Sequence, residues 1–287
     1  MTTTIDIGSW LKESVCTLSE TGDALLSCQL LIAHVLGQPR SWVVAHPEVS
    51  LNDTQLEKLC GLREQFAQGR PLPYLLGHWE FHGLDFLVTP DVLIPRPETE
   101  LLVTTALDWL NHHPGRHCIV DVGTGSGCIA ITLAVKNPHI KIAATDLSQP
   151  ALTVARQNAE KHHIKDKIDF YQADLLPPGR VHFDMICANL PYIPSDKLAA
   201  LPVSRFEPHF ALDGGLDGLA VIRRLLELAP ARIMPGGILL LEIENDQKAA
   251  AIELAHHIFP GAKTQVISDS AGQPRLLSIQ TKEGMQP

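Results

Sequence analysis

The architecture of this chain can be inferred from one segment, Cys118-Ile119-Val120-Asp121-Val122-Gly123-Thr124-Gly125-Ser126-Gly127. It begins as an apolar run typical of a buried strand and ends with glycine at every second position. The apolar spacing over residues 128–134 then predicts a helix packed on a sheet. Alternating glycines allow a sharp turn and a close approach of the backbone to a ligand. Their G-x-G-x-G spacing differs from the G-x-G-x-x-G of dinucleotide-binding folds, which weakens a pyrophosphate interpretation.

A second ligand-binding signal follows the next apolar run. Residues 140–145 predict a strand, and Asp146 comes directly after it. A carboxylate at the tip of the second strand can accept hydrogen bonds from two ribose hydroxyls. The glycine loop and this carboxylate together predict a nucleoside cofactor, without deciding which one.

Helix and strand patterns alternate from residue 98 onward, which is typical of a parallel sheet covered by helices. Only Asp269-Ser270-Ala271-Gly272 separates the last two predicted strands, so these should form an antiparallel hairpin. An α/β fold with such a hairpin favours the seven-stranded, Rossmann-like methyltransferase sheet over a dehydrogenase. The predicted helices lie near 98–111, 127–136, 149–161, 217–229 and 247–258. The predicted strands lie near 117–122, 140–145, 167–171, 183–188, 236–243, 263–268 and 275–281.

The first part of the chain is predicted to be a small helical domain. Apolar residues recur at helical spacing over 24–36 and again over 56–66. Pro71 and Pro73 are expected to break helicity, and residues 79–86 predict a hairpin. We therefore expect an N-terminal helical domain (1–75), a hairpin and linker (76–97), and the α/β domain (98–287).

The tetrapeptide Asn189-Leu190-Pro191-Tyr192 is the strongest indication of chemistry, and it follows the apolar strand pattern of residues 185–188. The side-chain oxygen of Asn189 and the backbone carbonyl of Leu190 could each accept one hydrogen of an NH2 group. Pro191 would hold that carbonyl in place, and the ring of Tyr192 could pack on a planar substrate group. The alternative is an ordinary turn from strand to loop.

Composition limits the remaining possibilities. With 287 residues and 45% apolar content the chain can bury a large core, and its net charge of −9 argues against electrostatic binding of bulk nucleic acid. The six cysteines form no C-x-x-C pair and are expected to stay reduced, as in a cytoplasmic protein. The adjacent histidines at 112–113, 162–163 and 256–257 point to different helix faces, so no metal site is expected. Export and membrane insertion are not expected, because no signal peptide or run of about 20 apolar residues is found.

Several motifs in a fixed order carry a resemblance to a known family. They are Leu93-Ile94-Pro95-Arg96-Pro97-Glu98-Thr99-Glu100, the glycine segment 121–127, Asn189-Leu190-Pro191-Tyr192-Ile193, Glu207-Pro208 and Leu241-Glu242-Ile243. With these motifs the chain resembles the HemK-type peptide chain release factor glutamine methyltransferases over nearly its whole length. The glycine motif is shared by many methyltransferases, whereas the proline-arginine-proline-glutamate segment in this order is highly specific. The family usually has Asn-Pro-Pro-Tyr where this chain has Leu190, and glycine where it has Glu244.

The resemblance implies transfer of a methyl group from S-adenosylmethionine to the side-chain amide nitrogen of the glutamine in a Gly-Gly-Gln loop. The loop belongs to class-1 peptide chain release factors, which would be the protein partners. An amide nitrogen is a poor nucleophile because its lone pair is delocalised, so activation must come from the way the nitrogen is held. No His or Glu stands beside the tetrapeptide in the sequence, and no general base is expected.

The resemblance also assigns roles to residues. Asn189, Pro191 and Tyr192 are expected to be catalytic in the sense of positioning, and the substrate should bind to these three and Leu190. Asp174 would accept a hydrogen bond from the adenine amine, or only end a strand. The expected cofactor contacts are Gly123, Thr124, Gly125, Ser126, Gly127, Asp146, Asp174, Leu175 and Asn189.

The sequence allows two roles for each of several other parts of the chain. Arg96 and Glu98 could lie near the active site or form an inter-domain salt bridge, and Glu207 could anchor a loop over the substrate. The N-terminal helical domain, which is acidic, would dock the release factor or would only stabilise the fold.

Three competing functions can be compared with this one. An adenine-N6 methyltransferase acting on DNA or RNA faces the same delocalised amine, but it needs a basic surface that this acidic chain does not offer. A non-catalytic module that binds S-adenosylmethionine would not need the acceptors of Asn189 and Leu190. A nicotinamide-dependent dehydrogenase is disfavoured by the glycine spacing and the terminal hairpin.

Overall fold

The computed structural model describes residues 5–18, 23–115 and 117–283, so the first four and last four residues of the expected domains lie outside it. The chain divides into two compact units, Met1–Gly77 and His78–Pro287. The hairpin and the segment up to residue 97 therefore belong to the second unit.

The described part of the first unit is helical, as the apolar spacing predicts. Asp23 caps the helix over 24–36 by accepting the backbone N–H of Leu26, and Gly37 ends it in a left-handed conformation. Asn52 and Gln55 form a reciprocal capping box at the start of a second long helix. The helices of this unit are α1 (Ile7–Thr17), α2 (Ala24–Leu36), α3 (Arg40–Ala45), α4 (Asp53–Ala67) and α5 (Leu72–Leu76).

One prediction for this unit is wrong. Pro71 and Pro73 do not end helicity, because α5 begins directly after Pro71 and contains Pro73. A proline is tolerated in the first turn of a helix, where the backbone N–H that it lacks would have no partner within the helix.

The predicted hairpin is confirmed at the start of the second unit. Strands β1 (His78–Phe81) and β2 (Leu84–Leu87) pair antiparallel, with Phe81 opposite Leu84. His82 and Gly83 connect them, both with positive φ (53° and 79°), as a tight two-residue turn requires.

The seven-stranded sheet with a terminal antiparallel hairpin is also confirmed. Its strands are β3 (His117–Val122), β4 (Ile140–Asp146), β5 (Ile168–Gln172), β6 (Phe183–Ala188), β7 (Ile233–Glu242), β8 (Lys263–Ser268) and β9 (Pro274–Gln280). Within the described residues the strand order is β5-β4-β3-β6-β7-β9-β8. The neighbours from β5 to β7 are parallel, whereas β9 is antiparallel to both β7 and β8. The helices are α6 (Thr99–His112), α7 (Cys128–Lys136), α8 (Gln149–Lys161), α9 (Ser195–Leu198), α10 (Ala220–Leu228) and α11 (Lys248–Ile258).

Apolar clusters cover both faces of this sheet. Along β3, Ile119 joins one cluster with α6 and α7, while Val120 and Val122 join the other with α10 and α11. Successive side chains of a strand point to opposite faces, so a strand buried on both faces must be apolar throughout. The strand order reverses between β3 and β6, and a crevice at the carboxyl ends of the strands is expected at such a point. None of the helices described in either unit is long and apolar enough to cross a membrane.

Candidate active site

A cavity of about 580 Å³ opens at the carboxyl ends of β3, β4 and β6. Gly127 and Tyr192 do not line this cavity, although they were among the expected site residues. The expected residues that do line it are Gly123, Thr124, Gly125, Ser126, Asp146, Asp174, Leu175, Asn189, Leu190 and Pro191.

A buried carboxylate that the sequence reasoning missed holds the glycine loop in shape. Asp121 Oδ2 accepts hydrogen bonds from Thr124 Oγ1 at 2.6 Å and from the Ala130 backbone N–H at 3.2 Å. Burial raises the pKa of Asp121 to about 7. Gly127 lies behind the loop, and a Cβ added to it would lie 2.7 Å from the Ile131 side chain. Close packing therefore requires glycine at this position.

Asp146 ends β4 and joins the cavity wall, as its place in the sequence predicts. Its Oδ2 accepts the Gly125 backbone N–H at 2.9 Å, and its Oδ1 accepts the Ser148 N–H at 2.8 Å. Each carboxylate oxygen has a further lone pair for a ligand donor. Burial raises the pKa of this side chain, partly offset by these backbone hydrogen bonds.

Asp174 and Leu175 form another part of the wall, in different environments. Asp174 Oδ2 accepts a hydrogen bond from Arg224 Nη2 at 2.6 Å, and both side chains are more than half exposed. Leu175 is buried and has a positive φ of 70°, which is uncommon for a branched side chain. The Thr145 hydroxyl donates a hydrogen bond to the Leu175 backbone carbonyl at 2.5 Å and supports this conformation.

The side-chain nitrogen of Asn189 is hydrogen-bonded within the protein, and its side-chain oxygen is available to a ligand. Its Nδ2 donates to Thr99 Oγ1 at 2.9 Å, and the Thr99 hydroxyl donates to Glu242 Oε2 at 2.7 Å. Among the described residues no donor bonds Asn189 Oδ1 or the Leu190 carbonyl. Both expected acceptor atoms can therefore receive hydrogens from a ligand.

A second cavity of about 380 Å³ adjoins the first. Tyr192 lines the second cavity, and Asn189, Leu190, Leu93 and Arg96 line both. Asn189 thus stands where the two cavities meet, which would let one ligand on each side approach the same amide.

Glu242 is the functional candidate that the sequence reasoning overlooked, because it is distant in sequence from the tetrapeptide. It ends β7, is 3% exposed, and its Oε1 accepts the Tyr192 hydroxyl at 3.3 Å. It lines neither cavity. Its sequence signal was a single charged residue at the end of the apolar run over residues 238–241.

Arg96 and Glu207 hold in place a segment that forms part of the cavity wall. Glu207, whose side chain is 2% exposed, accepts Arg96 Nη2 at 2.5 Å and the Ile94 backbone N–H at 3.2 Å. The inter-domain alternative for Arg96 is wrong, since both partners belong to the second unit. Glu98 is exposed and precedes the first residue of α6 without a side-chain capping bond.

The two departures from the family pattern have local explanations. The Leu190 side chain is buried against the glycine loop, 3.0 Å from where a Cβ on Gly123 would lie. Glu244 caps a short turn, and its carboxylate pairs with Arg275 at 3.4 Å. Neither substitution removes an acceptor from the cavities.

Comparison with known proteins identifies the family of this chain. Residues 98–205 match the methyltransferase small domain family, and residues 9–77 match the PrmC N-terminal domain family. The release factor glutamine methyltransferase of Moorella thermoacetica is 40% identical over 90% of this chain and 92% of its own length. The protein of the same name from Coxiella burnetii is 41% identical over 83% and 84% of the two chains.

A solved structure supports the fold alone. A methyltransferase from Pyrococcus furiosus is 18% identical to this chain in sequence. The structural match covers 80% of this chain and 100% of the Pyrococcus furiosus chain, with a TM-score of 0.51. The fold, the two matching domain families and the identity to full-length relatives agree with one another. The chain therefore belongs to the release factor glutamine methyltransferase family.

Proposed function

We propose that this methyltransferase transfers a methyl group from S-adenosylmethionine to the side-chain amide nitrogen of the glutamine in the Gly-Gly-Gln loop of a class-1 peptide chain release factor. The observation that carries the proposal is the position of Asn189 at the junction of two cavities. Its Oδ1 and the Leu190 carbonyl have no donor among the described residues, and an NH2 group has two hydrogens to donate.

The first cavity fits a nucleoside linked to an amino acid. Asp146, with lone pairs left over from its two backbone bonds, would accept the ribose hydroxyls. Leu175 is apolar and would pack on the adenine ring, and the loop over residues 123–126 would lie along the ribose and methionine portion. When bound there, S-adenosylmethionine supplies a methyl group made electrophilic by its sulfonium.

The residues around the second cavity would position the glutamine. Asn189 Oδ1 and the Leu190 carbonyl would each accept one hydrogen of the substrate amide, which turns its nitrogen toward the methyl group. Positive charge develops on that nitrogen as the bond forms, so both acceptors bind the transition state more strongly than the ground state. Pro191 limits movement of the Leu190 carbonyl. The proton can leave to water after the transfer, so the chain need not supply a base.

Asp146 should contribute more to cofactor affinity than Asp174. Asp146→Ala removes a buried acceptor, and we expect the Kd of the demethylated cofactor to rise about 10- to 100-fold, the loss of a charge-assisted hydrogen bond. Asp174→Ala is the matched control, because its exposed carboxylate is paired with Arg224. We expect it to change the Kd about threefold or less. Calorimetric titration of both variants measures this, and equal effects would contradict the assignment.

The N-terminal helical unit is proposed to dock the release factor. Its acidic excess suits a basic face on the partner, and the exposed Glu57 and Glu64 of α4 contribute to that charge. Lysine at both positions should raise the KM for the release factor about 3- to 10-fold through a slower encounter. The Kd of the cofactor should not change. An unchanged KM at low salt would leave this unit with a stabilising role only.

The proposed function is tested by incubating the protein with S-adenosylmethionine and a purified class-1 release factor. Mass spectrometry of the digested release factor should find one added methyl group on the loop glutamine. A release factor with alanine at that glutamine should gain none. A methyl group recovered on adenine of DNA or RNA, with none on the release factor, would support the nucleic-acid alternative instead.

A further inference from the structure

A chain of hydrogen bonds leads from Asn189 to a buried carboxylate. Asn189 Nδ2 donates to Thr99 Oγ1, the Thr99 hydroxyl donates to Glu242 Oε2, and the Tyr192 hydroxyl donates to Glu242 Oε1. Thr99 is 2% exposed and Glu242 is 3% exposed, so water does not replace these partners. The four residues come from the start of α6, the loop after β6 and the end of β7.

The charge of Glu242 determines the direction of the hydrogen bonds that connect it to Asn189 through Thr99. An ionised carboxylate only accepts hydrogen bonds, so Thr99 must donate its single hydroxyl hydrogen to it. The oxygen of Thr99 can then only accept a hydrogen from Asn189, which must present Nδ2 to it. Asn189 Oδ1 is thereby turned toward the cavities, where the proposed mechanism needs an acceptor.

The reverse direction becomes available when Glu242 is protonated. A carboxylic acid can donate to Thr99, whose hydroxyl can then donate to the amide oxygen of Asn189. The amide would rotate and present Nδ2 to the second cavity. A donor facing the NH2 group of a glutamine repels it, so that orientation cannot hold the substrate.

We propose that Glu242 is a positioning residue whose ionised carboxylate, acting through Thr99, fixes the amide orientation of Asn189 for methyl transfer. The proposal rests on the proposed function for the role of Asn189 Oδ1. Glu242 lines neither cavity, so its proposed effect on the substrate is indirect.

The surroundings of Glu242 make its charge sensitive to pH. Burial raises its pKa to about 7, the hydrogen bonds from Thr99 and Tyr192 lower it, Glu98 raises it, and Arg275 lowers it. Cys128 also faces this group, and burial raises the pKa values of both Cys128 and Tyr192, so these two stay protonated near pH 7. Since Glu242 ionises as the pH rises through its pKa, the productive orientation becomes populated between about pH 6 and pH 8.

The first test compares kcat as a function of pH for the wild type and Glu242→Gln. We expect the wild-type kcat to rise through about pH 7, and the variant to lose that rise together with about 10- to 100-fold of kcat, a typical cost of misplaced reacting groups. The Kd of the demethylated cofactor should stay within about twofold, because Glu242 does not line that cavity. A variant with the wild-type kcat and the same pH profile would overturn the proposal.

Two substitutions at Thr99 keep the proposal testable if Glu242→Gln fails to fold. Thr99→Ser keeps the hydroxyl and should keep the rise of kcat with pH, whereas Thr99→Val has the same shape without the hydroxyl and should lose it. A merely structural role predicts lower stability for both and the wild-type pH profile for each. Equal pH profiles in the two variants would therefore contradict the inference.

A measurement without substrate separates this inference from the proposed function. Nuclear magnetic resonance of the Asn189 side-chain amide, identified by its loss in Asn189→Ala, should show a change whose midpoint matches the titration of Glu242. The absence of that coupling would overturn the inference even if the wild type methylates a release factor. If the Asn189 amide follows the titration of Glu242 but the protein transfers no methyl group to a release factor, the proposed function is refuted. The positioning of Asn189 by Glu242 is then still supported.

Discussion

Asn189→Ala is expected to lower kcat for release factor methylation by about 100- to 1,000-fold, the typical cost of one lost transition-state acceptor. The side chain supplies one of the two acceptors for the substrate amide, and its Oδ1 has no other donor among the described residues. The remaining Leu190 carbonyl can hold one hydrogen but cannot orient the nitrogen alone. Rapid-quench measurement of single-turnover methyl transfer gives this rate free of product release.

The same variant should still bind the cofactor. Most of the first cavity comes from the glycine loop, Asp146 and Leu175, which the substitution does not touch. Asn137→Ala is a suitable control, because Asn137 lies at the end of α7 and lines neither cavity. A loss of cofactor affinity as large as the loss of kcat would mean that Asn189 mainly holds the cofactor.

Gly214→Ala is expected to lower kcat about 100-fold, the cost of a displacement on the order of 1 Å between reacting groups. An added Cβ would lie 2.6 Å from the Gly218 carbonyl, 2.7 Å from Tyr192 Cα and 2.8 Å from the Pro191 carbonyl. All three are backbone atoms, so the loop of the tetrapeptide must shift. The Gly214 N–H also donates to the Ile193 carbonyl at 2.8 Å, which ties the two loops together.

Steady-state kinetics and thermal melting of Gly214→Ala distinguish displacement from unfolding. We expect a folded protein with a cooperative melt and a low kcat, and its crystal structure should show residues 190–192 displaced. Gln247 Nε2, which donates to the Tyr192 carbonyl at 2.8 Å, should lose or lengthen that bond. A variant with wild-type kcat would show that close packing behind the tetrapeptide does not position the acceptors.

The sheet could be predicted from sequence because each strand is a short, separate apolar run. Residues 118–122 and 140–145 carry that pattern. The glycine loop comes directly after the first run and Asp146 directly after the second, so the positions of both could be predicted. The hairpin of β8 and β9 followed from the absence of a helix between them. Asn189 was found for the same reason, as a polar residue just beyond β6.

The partners of these residues could not be predicted, because they depend on contacts between distant parts of the chain. Thr99 and Glu242 are separated by 143 positions, and only the packing of α6 beside β7 brings them together. The pairing of Arg96 with Glu207 likewise spans 111 positions. The helix at Pro73 was missed because a proline breaks a helix in its interior but not in its first turn.

In the proposed mechanism, a carboxamide nitrogen becomes a sufficient nucleophile when two acceptors hold its hydrogens. A crystal structure with the demethylated cofactor and a Gly-Gly-Gln peptide tests it most directly. We expect Asn189 Oδ1 and the Leu190 carbonyl each to lie within hydrogen-bonding distance of the glutamine nitrogen, with that nitrogen facing the cofactor sulfur. A glutamine held by other groups, with Asn189 Oδ1 turned toward Thr99, would contradict the proposed mechanism.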